Sequence, residues 1–142
     1  MIRPVVPLSV LDLSPVGASS TPRQAIIDSV ALARHCDGLG YTRYWVAEHH
    51  NMANIATSSP EVLIAHLAGS TSTLRIGAGV VMLPNHASLV VAGQFGMLEA
   101  LHPGRIDLGI GRAPGTDPIT AAALRRNPDA FGDDEFPQQL RD

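Results

Sequence analysis

Two features of the sequence predict an α/β chain built on a parallel sheet. Short apolar, β-branched runs alternate with stretches at helical spacing, and Gly or Pro punctuates almost every junction. Strands that alternate with helices lie parallel, either in an open doubly wound sheet or in a (β/α)8 barrel. A third observation is length: a barrel of about 250 residues spends roughly 31 on each unit, so the 142 residues here hold about four strands.

The first strand is read from Val5 to Leu13, and Ser14-Pro15-Val16-Gly17 breaks it. Thr21-Pro22-Arg23-Gln24 reads as a helix start, with Thr as cap, Pro in the first turn and Gln placed to close a capping box. Ile26, Val30 and Ala33 recur at helical spacing, and Gly38 or Gly40 supplies the left-handed stop. A second strand, Tyr41 to Ala47, runs into Glu48-His49-His50. Ser59-Pro60-Glu61 opens a second helix that ends near Ser72, with Leu63 and Leu67 on one face. Leu74 to Leu83 is the third strand, interrupted by Gly77 and Gly79 and stopped by Pro84-Asn85. The third helix, Ser88 to Leu101, carries Gly93, which weakens it by about 1 kcal/mol relative to Ala, and His102-Pro103-Gly104 halts it. Arg105 to Ile110 is the fourth strand, overlapping a glycine-rich turn from Gly109 to Gly115. Beyond it the pattern weakens to a short helix near Ile119 to Arg126, the acidic run Asp133-Asp134-Glu135 and a helix start at Phe136-Pro137.

Composition narrows the function. Ten basic residues against 13 acidic ones, net charge −3, argue against a nucleic-acid binder. No apolar run is long enough to span a membrane, and the start Met1-Ile2-Arg3-Pro4 shows no signal-peptide core. The single cysteine, Cys36, excludes an internal disulfide framework, and a cytoplasmic location is expected.

In both parallel-sheet architectures ligands bind at the C-terminal strand ends. That rule selects residues 11–14, 47–51, 79–86 and 111–116. A histidine titrating near neutral pH suits acid–base chemistry, so Glu48, His49 and His50 read either as a site or as residues bonded to a neighbouring loop. Adjacent histidines on an extended chain point to opposite sides, so no metal site is expected there. His35, His66 and His102 read as surface or packing residues. Glycine within a strand marks a bulge, close packing or a nearby flat ligand, and the ligand is favoured for Gly77 and Gly79. Gly109, Gly111 and Arg112 resemble a phosphate loop. They fit the dinucleotide fingerprint poorly, because the third glycine comes late and Pro114 lies within the loop. An open-sheet nucleotide-binding domain therefore rests on this turn alone.

Taken together, residues 45–50 (Trp-Val-Ala-Glu-His-His), 74–84 and 98–115, with the opening segment Pro7 to Pro15, resemble the bacterial luciferase-like flavin monooxygenases, and within them a subgroup of oxidoreductases of unassigned substrate. The resemblance implies the N-terminal half, about four βα units, of a luciferase-like TIM barrel, with residues 1–142 forming a truncated part of one domain. It implies FMN, or alternatively the deazaflavin F420, with reduced flavin and dioxygen oxidising a small organic substrate such as an aldehyde. It makes His49 and Glu48 catalytic and His50 substrate-binding. Ala78, Gly79 and Val80 lie against the flavin ring, at a segment where the family often has a non-proline cis peptide, and Gly111 and Arg112 bind the cofactor, Arg112 through its phosphate. Gly111 stands where luciferase has a reactive cysteine, so no thiol chemistry is expected. A flavin reductase is a candidate partner, and nucleic acid and membrane are not. Open edges on the first and fourth strands lead to an expected homo-oligomer, a dimer. A rival expectation is a non-catalytic flavin-binding or structural half-barrel that self-associates.

Overall fold

The computed structural model describes residues 6–124 and 136–141. Four parallel strands, β1 (Ser9–Asp12), β2 (Arg43–Val46), β3 (Arg75–Met82) and β4 (Ile106–Gly111), pair in the order β1-β2-β3-β4. Helices α1 (Pro22–Gly38), α2 (Pro60–Ser70) and α3 (Ser88–Leu101) join successive strands, and α4 (Pro118–Leu124) and α5 (Phe136–Gln139) follow β4. A doubly wound sheet reverses its order at a switch point. Here the order runs straight through, so the open nucleotide-binding alternative is set aside and the architecture is a half-barrel. Val5, the stretch from 125 to Arg126 and the acidic run at 133–135 lie outside the described residues.

Local chemistry sets the boundaries. β1 is shorter than its apolar run because Pro7 has no N–H to donate and Ser14 turns out of the strand with φ 49°. Thr21 caps α1 by accepting the N–H of Gln24 at 3.1 Å, yet the expected capping box stays half-formed, since the Gln24 amide turns to Asp28 instead. Gly40, with φ 76°, is the left-handed residue after α1. α2 stops at Ser70, two residues early, because Thr71 is extended. The Arg105 guanidinium then donates to the carbonyls of Ala68, Thr71 and Leu74, two of them at the C-terminus of α2.

All three connecting helices pack on one face of the sheet. Tyr44, Val46, Ile76, Ala78 and Val81 from the strands meet Leu63, Ile64, Leu67, Phe95 and Leu98 from the helices in one core. Full burial of each large apolar side chain contributes about 1.5–3 kcal/mol. The other face stays open. Its row Leu11-Trp45-Gly77-Asp107 follows from the strand register, and Leu11 is 56% exposed. Asp107 accepts a two-point bond from Arg75 and a third from Arg43 at 3.0 Å, leaving two guanidinium groups around one carboxylate. The bonds from Arg75, then its charge and that of Arg43, outweigh burial and hold the Asp107 carboxyl below its ordinary range.

The pairing of β3 with β4 slips once. Ala78 lies opposite Leu108 and Val81 opposite Ile110, so β3 carries one extra residue there. Ala78 and Val81 are buried in the core, whereas Gly79 faces Leu11 and Trp45 and Val80 faces Gly109 and Gly111. Two consecutive residues therefore look out from the open face, and the peptide between them is cis, at the segment where the resemblance placed one.

Candidate active site at the strand ends

The chain leaves β2 extended and is held on both sides. His49 N–H donates to the Thr57 carbonyl at 2.9 Å and His50 N–H to the Gly115 carbonyl at 3.2 Å. Alternation in an extended segment then sends Glu48 and His50 to one side and His49 to the other. The Glu48 carboxylate is fully buried. Its Oε1 lies 2.6 Å from Nε2 of His50 and 2.8 Å from Nε2 of His86, while Oε2 accepts the Met82 N–H at 2.7 Å. Burial by itself would raise the Glu48 pKa; the bonds from His86, His50 and Met82 outweigh it and hold the carboxyl below its usual range. His86 moves the other way, raised by its bond to Glu48 against the opposing effect of burial.

The Glu48 carboxylate is sealed from solvent with both oxygens engaged, and the rings of His50 and His86 are held against it. His49 lies apart from it. It lines an open cleft of about 350 Å³ with Pro22, Asn51, Met52, Ala53 and Ile55, and its Nδ1 is buried with no hydrogen-bond partner among the described residues. None of the expected cofactor residues lines that cleft.

The glycines are explained largely by packing, which corrects the ligand reading of Gly77. A Cβ at Gly77 would sit 2.5 Å from the Asp107 carbonyl and 2.8 Å from the Trp45 ring; one at Gly79 would come within 3.1 Å of Trp45 Cβ. A Cβ at Gly109 would strike the Ala78 carbonyl, and one at Gly111 the Val80 side chain. Both residues belong to β4 rather than to the loop that follows it. Ala78 points into the core and offers a ligand only its main chain. Gly79 and Val80 are half-buried on the open face, and Arg112 is exposed just beyond β4. The structure thus places Gly79, Val80, Gly111 and Arg112 along the C-terminal rim of β3 and β4, Glu48 and His50 beside them, and His49 facing the neighbouring cleft.

Two polar groups escaped the sequence reading. His86 was within the strand-end segment 79–86 but carried no motif of its own. Its partner, Glu48, is 38 residues away. The second group lies under the β1 end, where Tyr44 donates to Asp12 at 2.6 Å and Ser14 and Ser29 share a hydroxyl contact at 2.7 Å. Burial, and then the bond to Asp12, push the Tyr44 phenol far above its ordinary pKa. Tyr44 falls within the second expected strand and carries no signal of its own in the sequence.

A half-barrel whose ionisable groups gather at the C-terminal strand ends has the layout of a barrel enzyme's ligand face. Residues 6–137 match the family model for luciferase-like monooxygenase, and the chain belongs to that family. It is 52% identical over 141 residues to a luciferase-like monooxygenase of Escherichia coli strain K12, a match covering 99% of this chain and 42% of the relative. Among solved structures, apo-MsnO8 is similar with a TM-score of 0.88 at 44% identity, over 96% of this chain and 40% of that one. The FMN complex of the oxygenating constituent of 3,6-diketocamphane monooxygenase from Pseudomonas putida shares the fold with a TM-score of 0.83 at 21% identity, over 96% and 38% of the two chains. An F420-dependent tetrahydromethanopterin reductase from Methanopyrus kandleri is a more distant fold neighbour, with a TM-score of 0.63 at 20% identity, over 84% and 30%. The chain spans about two fifths of the length of the curated relatives it matches.

Proposed function

We propose that this chain forms the N-terminal, flavin-facing half of a luciferase-like monooxygenase that uses reduced flavin and dioxygen to oxidise a small organic substrate such as an aldehyde. The observation that carries the reading is the flat rim at the C-terminal ends of β3 and β4. There Gly79, Gly109 and Gly111 surround the single side chain of Val80 on the open face. A planar ring fits such a surface, and FMN is the cofactor assigned, with F420 as the alternative. Reduced flavin, when bound, supplies the electrons with which dioxygen is activated.

The chain's own residues bind and orient. Gly79, Val80 and Gly111 form the floor for the ring, and the exposed Arg112 pairs with the cofactor phosphate. His49 is the acid–base group: its buried, unpartnered Nδ1 is available to a proton-bearing ligand. His50 faces substrate, held by Glu48. Residues 1–142 act as part of one barrel domain, a flavin reductase supplies the reduced cofactor, and the single cysteine fits a cytoplasmic setting. The described helices include none long and apolar enough to cross a membrane.

Titrating the purified chain with FMN while following flavin fluorescence and mass by light scattering tests this reading. Saturable binding that Arg112→Ala removes supports it; a folded chain that ignores flavin overturns it for this chain. A second reading, a self-associating half-barrel without catalysis, is favoured by the open face and by α3. That helix has one charge, Glu99, in 14 residues and exposes Leu89, Val90, Met97 and Leu101. A dimer without flavin affinity would select it.

A further inference from the structure

We propose that Glu48, His50 and His86 form a binding site for a borderline divalent cation of the zinc class, independent of any flavin. One carboxylate oxygen and two imidazole Nε2 atoms lie within 4.8 Å of one another. They come from two places in the chain, the extension of β2 and the residue after the turn at Leu83–Asn85. Adjacent His49 and His50 diverge, but Glu48 and His50, two apart, share a side, and His86 closes the set from across the sheet.

The donor set is chemically specific. Two imidazoles and one carboxylate with a fourth position left for water is a recognised zinc arrangement, whereas magnesium and calcium favour all-oxygen shells. The second carboxylate oxygen is already tied to the Met82 N–H, the kind of outer bond that orients a metal ligand. The histidine side chains are 13% and 24% exposed, so an ion has an approach that the fully buried Glu48 does not itself offer. Tetrahedral zinc with bonds of about 2.0–2.1 Å separates its ligands by roughly 3.3 Å. The present contacts of 2.6 and 2.8 Å would therefore open by roughly half an ångström. Each Nε2 proton leaves or moves to Nδ1, and the two hydrogen bonds give way to three coordinate bonds, from Oε1 of Glu48 and the two Nε2 atoms. The ion then links the chain after β2 to the turn after β3.

Titration of the purified chain with Co²⁺, followed by displacement with Zn²⁺, tests the site. One equivalent of Co²⁺ with the intense visible absorption of a tetrahedral ion is expected. His50→Ala and His86→Ala each weaken uptake by at least about tenfold, the scale at which even outer-shell partners matter, while His66→Ala and His102→Ala do not. In the unsubstituted chain, Zn²⁺ shifts the imidazole nitrogen resonances of His50 and His86 and leaves those of His66 and His102 in place. This readout stands even where a variant fails to fold. A folded chain that takes up no Co²⁺, or resonance shifts confined to other histidines, overturns the proposal.

Discussion

Nε2 of His86 lies 2.8 Å from Oε1 of Glu48, joining the end of β2 to the turn that follows β3. The same oxygen faces His50, so one buried carboxylate organises three segments of the strand-end surface. Glu48→Gln keeps the shape but replaces one acceptor oxygen with a donor, which then confronts either the Met82 N–H or the two imidazoles. A loss of about 1–3 kcal/mol is expected, read as a lower denaturation midpoint with unchanged m-value. Glu48→Ala, which strands all three donors, should cost more.

Asp37 supplies the pH dependence. It accepts the N–H groups of Ser72, Thr73 and Leu74 and the Thr73 hydroxyl, pinning the turn between α2 and β3. Burial would raise its pKa, but these bonds together bring it down to about 2 from an ordinary 3.8. A carboxyl depressed on folding stabilises fully above its unfolded pKa and loses that contribution as pH falls through the folded one. The stability gap between the chain and Asp37→Asn should therefore be flat above about pH 5 and close between pH 3.8 and 2. Chemical denaturation across that range measures it.

Two glycine-to-alanine changes should move stability in opposite directions. Gly77→Ala drives a methyl group into the Asp107 carbonyl and the Trp45 ring, so β3 and β4 must separate. A loss of about 2–4 kcal/mol or failure to fold is expected. Gly93→Ala meets nothing within 4 Å and removes backbone freedom from the unfolded chain, so a gain of about 0.5–1 kcal/mol is expected. Paired thermal melts decide both.

Tyr44→Phe removes the donor that reaches buried Asp12 at 2.6 Å while preserving the ring in the core. We expect a loss of about 1–3 kcal/mol. Because Asp12 also accepts the Ser14 N–H, amide exchange should accelerate at Ser14 and Ala56, whose N–H groups secure the loop after β1.

Arg112→Ala separates cofactor binding from folding. The residue is exposed beyond the last strand, so stability should stay within about 0.5 kcal/mol, while affinity for FMN falls at least about tenfold from loss of a charge-assisted phosphate bond. Fluorescence titration beside a melt checks both halves of the statement.

The order of strands and helices was legible because it rests on local signals. Pro22, Gly40, Pro84 and Gly104 punctuate the chain where the elements change, and the expected strands 41–47 and 74–83 enclose β2 and β3. The strand-end rule brought Glu48, His49, His50 and Gly79 forward for the same reason. What escaped depends on distance in the chain. Nothing near His86 announces a carboxylate 38 residues earlier, and nothing near Gly77 announces the Asp107 carbonyl against which it packs. Glycine is ambiguous by nature, since a missing side chain leaves room equally for a ligand or for a neighbouring strand.

The extra residue in β3 acts as a phase shifter for everything beyond it. Along a strand, successive N–H groups point alternately to the two neighbours, and the insertion between Ala78 and Val81 resets that alternation before Met82. Deleting one residue there would return the strand to uniform pairing and leave a single residue, in place of Gly79 and Val80, on the open face between Ala78 and Val81. The Met82 N–H would still meet Glu48, so the change would fall on the open face. Length between the core-facing Ala78 and Val81 is thus as constrained as composition, because one residue fewer removes half of the surface that Gly79 and Val80 present on the open face.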